Sequence, residues 1–147
     1  MKRLLLIVLP LLLFVGCSST PEPINYETTL IERGGVYYTK DTNQPYSGPV
    51  FSLDDKGRNK KEGNLEDGKM NIYKELQWYD NGQKASEYKT VFGDPIYEKS
   101  WNEDGKKDGY WTSYYENSYL EQEWEKRYKD GKLISSKEWN KDGSVKE

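Results

Sequence analysis

The rhythm of apolar and polar positions changes twice along this chain. Leu4 to Val15 is an almost unbroken apolar run of twelve residues, preceded by Lys2-Arg3 and closed by Gly16-Cys17. Ser18 to Thr29 contains two prolines and no apolar period, which predicts an extended tether over residues 17–29. Beyond it, short aromatic and β-branched segments alternate with turn signals: Asp55-Lys56-Gly57, Asp67-Gly68, Asn81-Gly82, Gly93-Asp94-Pro95, Asp104-Gly105, Asn117-Ser118, Asp130-Gly131 and Asp142-Gly143. Successive steps are 11 to 14 residues, and alternate turns recur at 23 to 26, as from Gly57 to Gly82 to Gly105. A fixed period is the mark of a repeat architecture. Asn-Gly and Asp-Gly favour two-residue type I′ hairpins, because both central residues need φ > 0. The pattern predicts an all-β fold over residues 30–147, an antiparallel meander of repeated β-hairpins forming an elongated sheet.

The segments between turns support strands. Tyr110 to Tyr115 would place Trp111, Ser113 and Tyr115 on one face and Tyr110, Thr112 and Tyr114 on the other. An aromatic stands a fixed distance before several turns, as Trp78 before Gly82, Trp101 before Gly105, Tyr114 before Ser118 and Trp139 before Gly143. Stacked from repeat to repeat, these rings would build a ladder along the sheet. Ser118 to Gly131 also fits a helix, with Leu120, Trp124 and Tyr128 at i, i+4 and i+8. The equivalent segment after Gly57 has only Arg58 to Glu62 before Gly63, too short for a helix, so the repeat favours a strand here too.

The N-terminal run has the layout of a secretory signal peptide over residues 1–16, and its twelve apolar residues fall short of the ~20 a spanning helix needs. The junction Phe14-Val15-Gly16-Cys17 resembles the bacterial lipobox, which implies that Cys17 becomes the first mature residue and carries lipid. Ser18 after it, by resemblance to Gram-negative lipoproteins, implies the outer membrane. The expected location is therefore the bacterial cell envelope, with the membrane reached through lipid on Cys17. Removing Lys2 and Arg3 from the 22 basic residues leaves 20 against 25 acidic ones, a net charge of −5 that does not seek nucleic acid or anionic lipid.

Composition narrows the chemistry. The chain of 147 residues has no His and one Cys, which excludes Ser-His-Asp and Cys-His nucleophile pairs, His-liganded zinc and an internal disulfide. Aromatics supply 14% of it, too many for a disordered chain. Asp104 and Asp108 offer a carboxylate pair for hydrolysis, although both belong to a turn, where Asp is favoured for backbone reasons. Asn102-x-Asp104-Gly105 lacks the ligand spacing of a Ca²⁺ loop. No catalytic residue, metal site or cofactor is expected.

The units Gly109-Tyr110-Trp111-Thr112-Ser113-Tyr114-Tyr115-Glu116-Asn117 and Glu62-Gly63-Asn64-Leu65-Glu66-Asp67-Gly68-Lys69 resemble the MORN-repeat variant, and the resemblance covers most of residues 34–147. Gly34 to Tyr38 and Pro45 to Val50 resemble the lead-in before such arrays. Ser118 and Asn71 stand where the repeat pattern has Gly, and Leu76-Gln77 look inserted. The family is often labelled YwqK-type antitoxin, and the resemblance implies a meander of hairpins without a catalytic centre. Three functions follow in order: an envelope-anchored lipoprotein with a non-enzymatic binding or scaffold module, an antitoxin or immunity protein that neutralises a toxin, and a carboxylate-based hydrolase. Trp78, Tyr79, Trp101, Trp111, Tyr114, Tyr115, Trp124 and Trp139 are the candidate contacts for a protein or glycan partner, because exposed aromatics suit protein interfaces and the apolar faces of sugars. The competing reading gives the same rings a purely structural role.

Overall fold

The computed structural model describes residues 21–115 and 121–146. The apolar run, Cys17 and the Asn117-Ser118 turn lie outside the described residues. Eleven strands and one helical turn follow one another: β1 (Ile24–Asn25), α1 (Tyr26–Thr29), β2 (Leu30–Arg33), β3 (Val36–Thr39), β4 (Gly48–Leu53), β5 (Asn59–Glu66), β6 (Lys69–Trp78), β7 (Lys84–Val91), β8 (Asp94–Ser100), β9 (Gly109–Tyr114), β10 (Gln122–Lys129) and β11 (Lys132–Glu138). β4 to β11 form one antiparallel sheet in chain order, with β1 added in parallel beside β4. β2 and β3 form a separate two-stranded sheet. The hairpin meander read from the turn signals is present, and Gln122 to Lys129 is a strand, as the repeat requires.

The turns are of two kinds, which the dipeptides alone did not separate. At Asp67-Gly68 and Asp130-Gly131 both residues have positive φ, the type I′ geometry expected. Phe92-Gly93 does the same with an aromatic residue at φ 52°. At Gly57, Gly82, Gly105 and Gly143 only the glycine is left-handed, and its N–H donates to the residue three before it, for example Gly105 to the Asn102 carbonyl at 2.9 Å. These are three-residue loops, a type I turn followed by a left-handed residue, rather than type I′ turns. Side-chain acceptors hold these loops: at the entrance of two, Asn102 Oδ1 accepts the N–H groups of Asp104 and Lys106 and Asp54 Oδ1 those of Lys56 and Arg58, and inside the other two, Asn81 Oδ1 accepts the Gln83 N–H and Asp142 Oδ1 that of Ser144. Five hairpins carry an extra residue three positions after the turn glycine, at Lys60, Asn71, Ala85, Ile96 and Ile134. Such bulges increase the right-handed twist of each hairpin.

The packed core is confined to the N-terminal end. Tyr26, Leu30, Val50 and Leu65 are buried together, with Ile24, Tyr37, Tyr46 and Met70 against them. This corrects the expected tether. Residues 24–29 belong to the fold: Ile24 and Asn25 pair with Val50 and Phe51, Asn25 caps α1 by accepting the Glu27 N–H at 3.1 Å, and Tyr26 is 6% exposed. Tyr26 is buried because its ring meets Tyr37 edge to face at 5.3 Å, a partner distant from the local proline-rich sequence. The β3 hairpin also closes over the β5–β6 turn, where Tyr37 N–H donates to the Gly68 carbonyl and Gly68 N–H to that of Tyr46. A Cβ on Gly68 would meet Val36 Cγ1 at 2.5 Å and the Tyr37 carbonyl at 2.7 Å. Among the described residues no second layer covers the sheet from β7 to β11, and Tyr97, Trp101, Trp111, Trp124 and Tyr128 are half-buried by their neighbours in the strands.

Candidate functional site

Cross-strand register sorts the side chains of β8, β9 and β10 onto two faces. Tyr97 stands opposite Ser113 and Ser113 opposite Trp124, while Trp111 stands opposite Lys126 and Gly109 opposite Tyr128. Tyr97, Trp111, Trp124, Lys126 and Tyr128 therefore share one face, with Lys99 following Tyr97 by two residues. On this face Trp111 is the hub. Its ring lies edge to face against Trp101 at 5.0 Å and against Tyr128 at 5.7 Å, and its Nε1–H donates to the Ser100 carbonyl at 2.8 Å.

Cations stand over these rings. Lys107 Nζ lies 4.2 Å from the Trp111 centroid and 4.8 Å from that of Tyr128. Lys99 Nζ lies 4.0 Å from Tyr97 and 5.7 Å from Trp111, Lys126 Nζ 5.0 Å from Trp124, and Lys84 Nζ 5.4 Å from Trp101. Lys84 is neutralised by Glu87 at 2.5 Å, and Tyr97 donates to the same carboxylate at 2.6 Å. Burial pushes Glu87 up, but the hydrogen bonds from Lys84 and Tyr97 outweigh it and hold the carboxyl below its ordinary value. Burial, and then Glu87, raise the Tyr97 phenol well above its ordinary value. Among the described residues Lys99, Lys107 and Lys126 are in no ion pair.

The eight candidate aromatics do not form one site. Trp101 and Trp111 meet directly, while Trp124 lies on the same face one strand further on. Trp78 closes β6, donates its Nε1–H to the Asn59 carbonyl at 2.6 Å and carries the Arg58 guanidinium at 5.8 Å. Tyr114 and Trp139 line a separate open cleft of about 490 Å³ with Gln122 and Gly143. Tyr79 and Tyr115 are latches: Tyr79 Oη donates to the Trp101 carbonyl at 2.8 Å, and Tyr115 Oη to that of Trp139 at 2.7 Å. Each joins one repeat to its equivalent in the next. The expected ring ladder is thus replaced by hydroxyl bridges, because turns at the same end of the meander lie two strands apart. That is about 10 Å, beyond the 4.5–7 Å of ring contact. Tyr128, Tyr97 and the three lysines were missed as site residues. For Tyr97, Tyr128, Lys99 and Lys126 the signal was present as Lys two residues from an aromatic on the same strand face, in Tyr97-x-Lys99-x-Trp101 and Trp124-x-Lys126-x-Tyr128, whereas Lys107, with Gly105 and Gly109 two residues away, carried none.

The carboxylate pair serves the turns. Asp108 accepts the Asp130 N–H and Lys129 Nζ, each at 3.1 Å, and these hold it below its ordinary value, opposite to the raised carboxyl that a general acid needs. Asp104 is exposed and meets Lys106 at 3.7 Å. Among the described residues no group of three or more Cys, Asp or Glu side chains converges as a metal site would require, and no helix is long and apolar enough to cross a membrane.

Comparison with known proteins returned no match. No family model, curated protein or solved structure is similar to the chain.

Proposed function

We propose that this chain is an envelope lipoprotein, anchored by lipid on Cys17 and held at the outer membrane in a Gram-negative cell, whose repeat sheet is a non-enzymatic binding module. The observation that carries the binding reading is the half-buried row of Trp101, Trp111 and Tyr128 with cations above it on a sheet face that no second layer covers among the described residues. Half-buried aromatics with a polar rim are what protein and glycan interfaces use. The anchor rests on the Phe14-Val15-Gly16-Cys17 junction. Globomycin treatment and Cys17→Ser should each leave an unprocessed precursor and release the chain from the membrane fraction; unchanged size and membrane association would refute the anchor. A crosslinking pulldown from intact envelopes should recover a partner whose capture falls with Trp111→Ala at a temperature where circular dichroism shows the variant folded, and unchanged capture would refute the aromatic face as the contact.

A second reading, an antitoxin or immunity protein of the MORN-variant type, draws on the outer edge of β11. Among the described residues Val145 and Lys146 cover only its Trp139 and Glu138 end, and Leu133 and Ile134 are exposed. An open edge accepts a strand from a partner. Rescue of cells from a co-expressed toxin encoded beside this chain would favour it over the binding-module reading.

A further inference from the structure

The cations on the aromatic face are unevenly engaged. Lys84 is committed to Glu87, yet Lys99, Lys107 and Lys126 stand over rings with no carboxylate partner among the described residues. Lys126 is paired with Trp111 across the β9–β10 ladder, and Lys99 reaches the same indole from the β8 side. Lys99 and Lys107 therefore stand over the Trp111 indole and Lys126 over Trp124 on the next strand, all within three strands about 10 Å wide. In a chain whose formal net charge is −3, such a patch is a local reversal of sign. A cation held over a ring keeps N–H donors for an anion placed beside it.

We infer that this face binds an acidic polysaccharide, with its sugar rings along the aromatic row and its carboxylates on Lys99, Lys107 and Lys126; the inference rests on reading the face as the module's binding surface. The chemistry favours this ligand over a nucleic acid. Trp101 and Tyr128 meet Trp111 at interplanar angles of 69° and 61°, so the rings offer no series of parallel slots for successive bases. Glu87 lies on the same face beside Lys84, and Glu138 opposite Trp124, so the positive patch is short and bounded by carboxylates. A polyuronate sets hydroxyls beside each carboxylate and can turn those hydroxyls toward Glu87, Glu138, Ser113 and Ser136, whereas a DNA backbone brings phosphates and no hydroxyl donor to meet the same carboxylates.

The test uses full-length protein in detergent micelles and four probes: polygalacturonate, an uncharged glucan, a single-stranded oligodeoxynucleotide and glycerophosphoglycerol, the soluble headgroup of an anionic phospholipid. Polygalacturonate is expected to bind with an affinity that falls as salt rises, and the glucan at least tenfold more weakly. Lys99→Gln, Lys107→Gln and Lys126→Gln together should weaken polygalacturonate binding at least tenfold with the circular dichroism spectrum and Tm retained, and the three Lys→Arg changes should preserve it. If the triple variant melts early, Lys126→Gln alone decides, since its contact with Trp124 lies outside the Trp101, Trp111 and Tyr128 cluster; a loss of about threefold is expected. Equal binding of the glucan, stronger binding of the oligonucleotide or the phospholipid headgroup, an unaffected variant, or no binding of polygalacturonate would each overturn the inference. If polygalacturonate fails while the envelope pulldown still yields a Trp111-dependent partner, the binding-module reading stands and only the ligand class falls.

Discussion

Trp111→Ala tests whether the aromatic cluster holds the sheet between β8 and β10. The substitution removes two edge-to-face contacts, at 5.0 Å and 5.7 Å, each worth about 1 kcal/mol beyond burial. It also removes the hydrogen bond to the Ser100 carbonyl, a further ~1 kcal/mol net, since that half-buried carbonyl recovers water. The half-buried indole adds less than the 1.5–3 kcal/mol assigned to a fully buried large apolar side chain. The expected loss is about 3 kcal/mol, at the lower end of the ~3–5 kcal/mol range for aromatic-to-alanine changes in full cores. Urea denaturation followed by far-ultraviolet circular dichroism measures it, and a thermal scan should show a fall in Tm on the order of 10 °C. Trp124→Ala is the control, because its ring carries Lys126 at 5.0 Å and no aromatic partner among the described residues; about 1 kcal/mol or less is expected. A double-mutant cycle of Trp111→Ala with Tyr128→Ala should give a coupling near 1 kcal/mol. A loss below about 1 kcal/mol for Trp111→Ala would refute the structural role and leave the ring free for a ligand.

Other outcomes follow from single contacts. Gly63→Ala places a Cβ inside van der Waals contact of the Ile72 carbonyl and 2.6 Å from Met70 Sδ, so β5 and β6 must separate locally; a loss of about 2 kcal/mol or more in urea denaturation is expected, and a neutral result would refute the close approach. Gly105→Val forces a β-branched residue to φ +73° with its Cβ 2.8 Å from Gln83 Oε1, which should cost about 1–3 kcal/mol by the same assay. Tyr79→Phe removes the hydroxyl bridge to the Trp101 carbonyl and should cost about 1 kcal/mol without changing the circular dichroism spectrum; no loss would refute the latch. Stability should fall as pH rises above 10, because burial and then the hydrogen bonds to Glu75 and Glu87 raise the Tyr73 and Tyr97 phenols. Unfolded phenols lose protons first, the unfolded chain then binds fewer protons than the folded one, and the stability curve slopes downward. The slope should flatten in Tyr97→Phe.

The turn glycines, the 23–26 residue recurrence and the β-branched and aromatic segments made the hairpin meander legible from one sequence, because turn geometry and strand preference are local properties. The same locality explains what was hidden. Asn81-Gly82 and Asp67-Gly68 look alike as dipeptides, yet they enter different turns: Asn81 keeps a negative φ and its side chain accepts the Gln83 N–H inside the loop, whereas Asp67 itself turns left-handed. Tyr26 sits in a stretch that reads as tether and is buried because Tyr37 and Val50 arrive from elsewhere in the chain. The aromatic register was visible; that it would act through hydroxyl bridges depended on the two-strand distance between equivalent turns. Trp111 became the hub because β8 and β10 bring Trp101 and Tyr128 to it from either side. The sequence alone determined which residues could form strands, turns and an anchor, through local conformational preference and composition. Only the tertiary structure decided which rings and lysines share a face, because that depends on register across strands, and each bulge resets it.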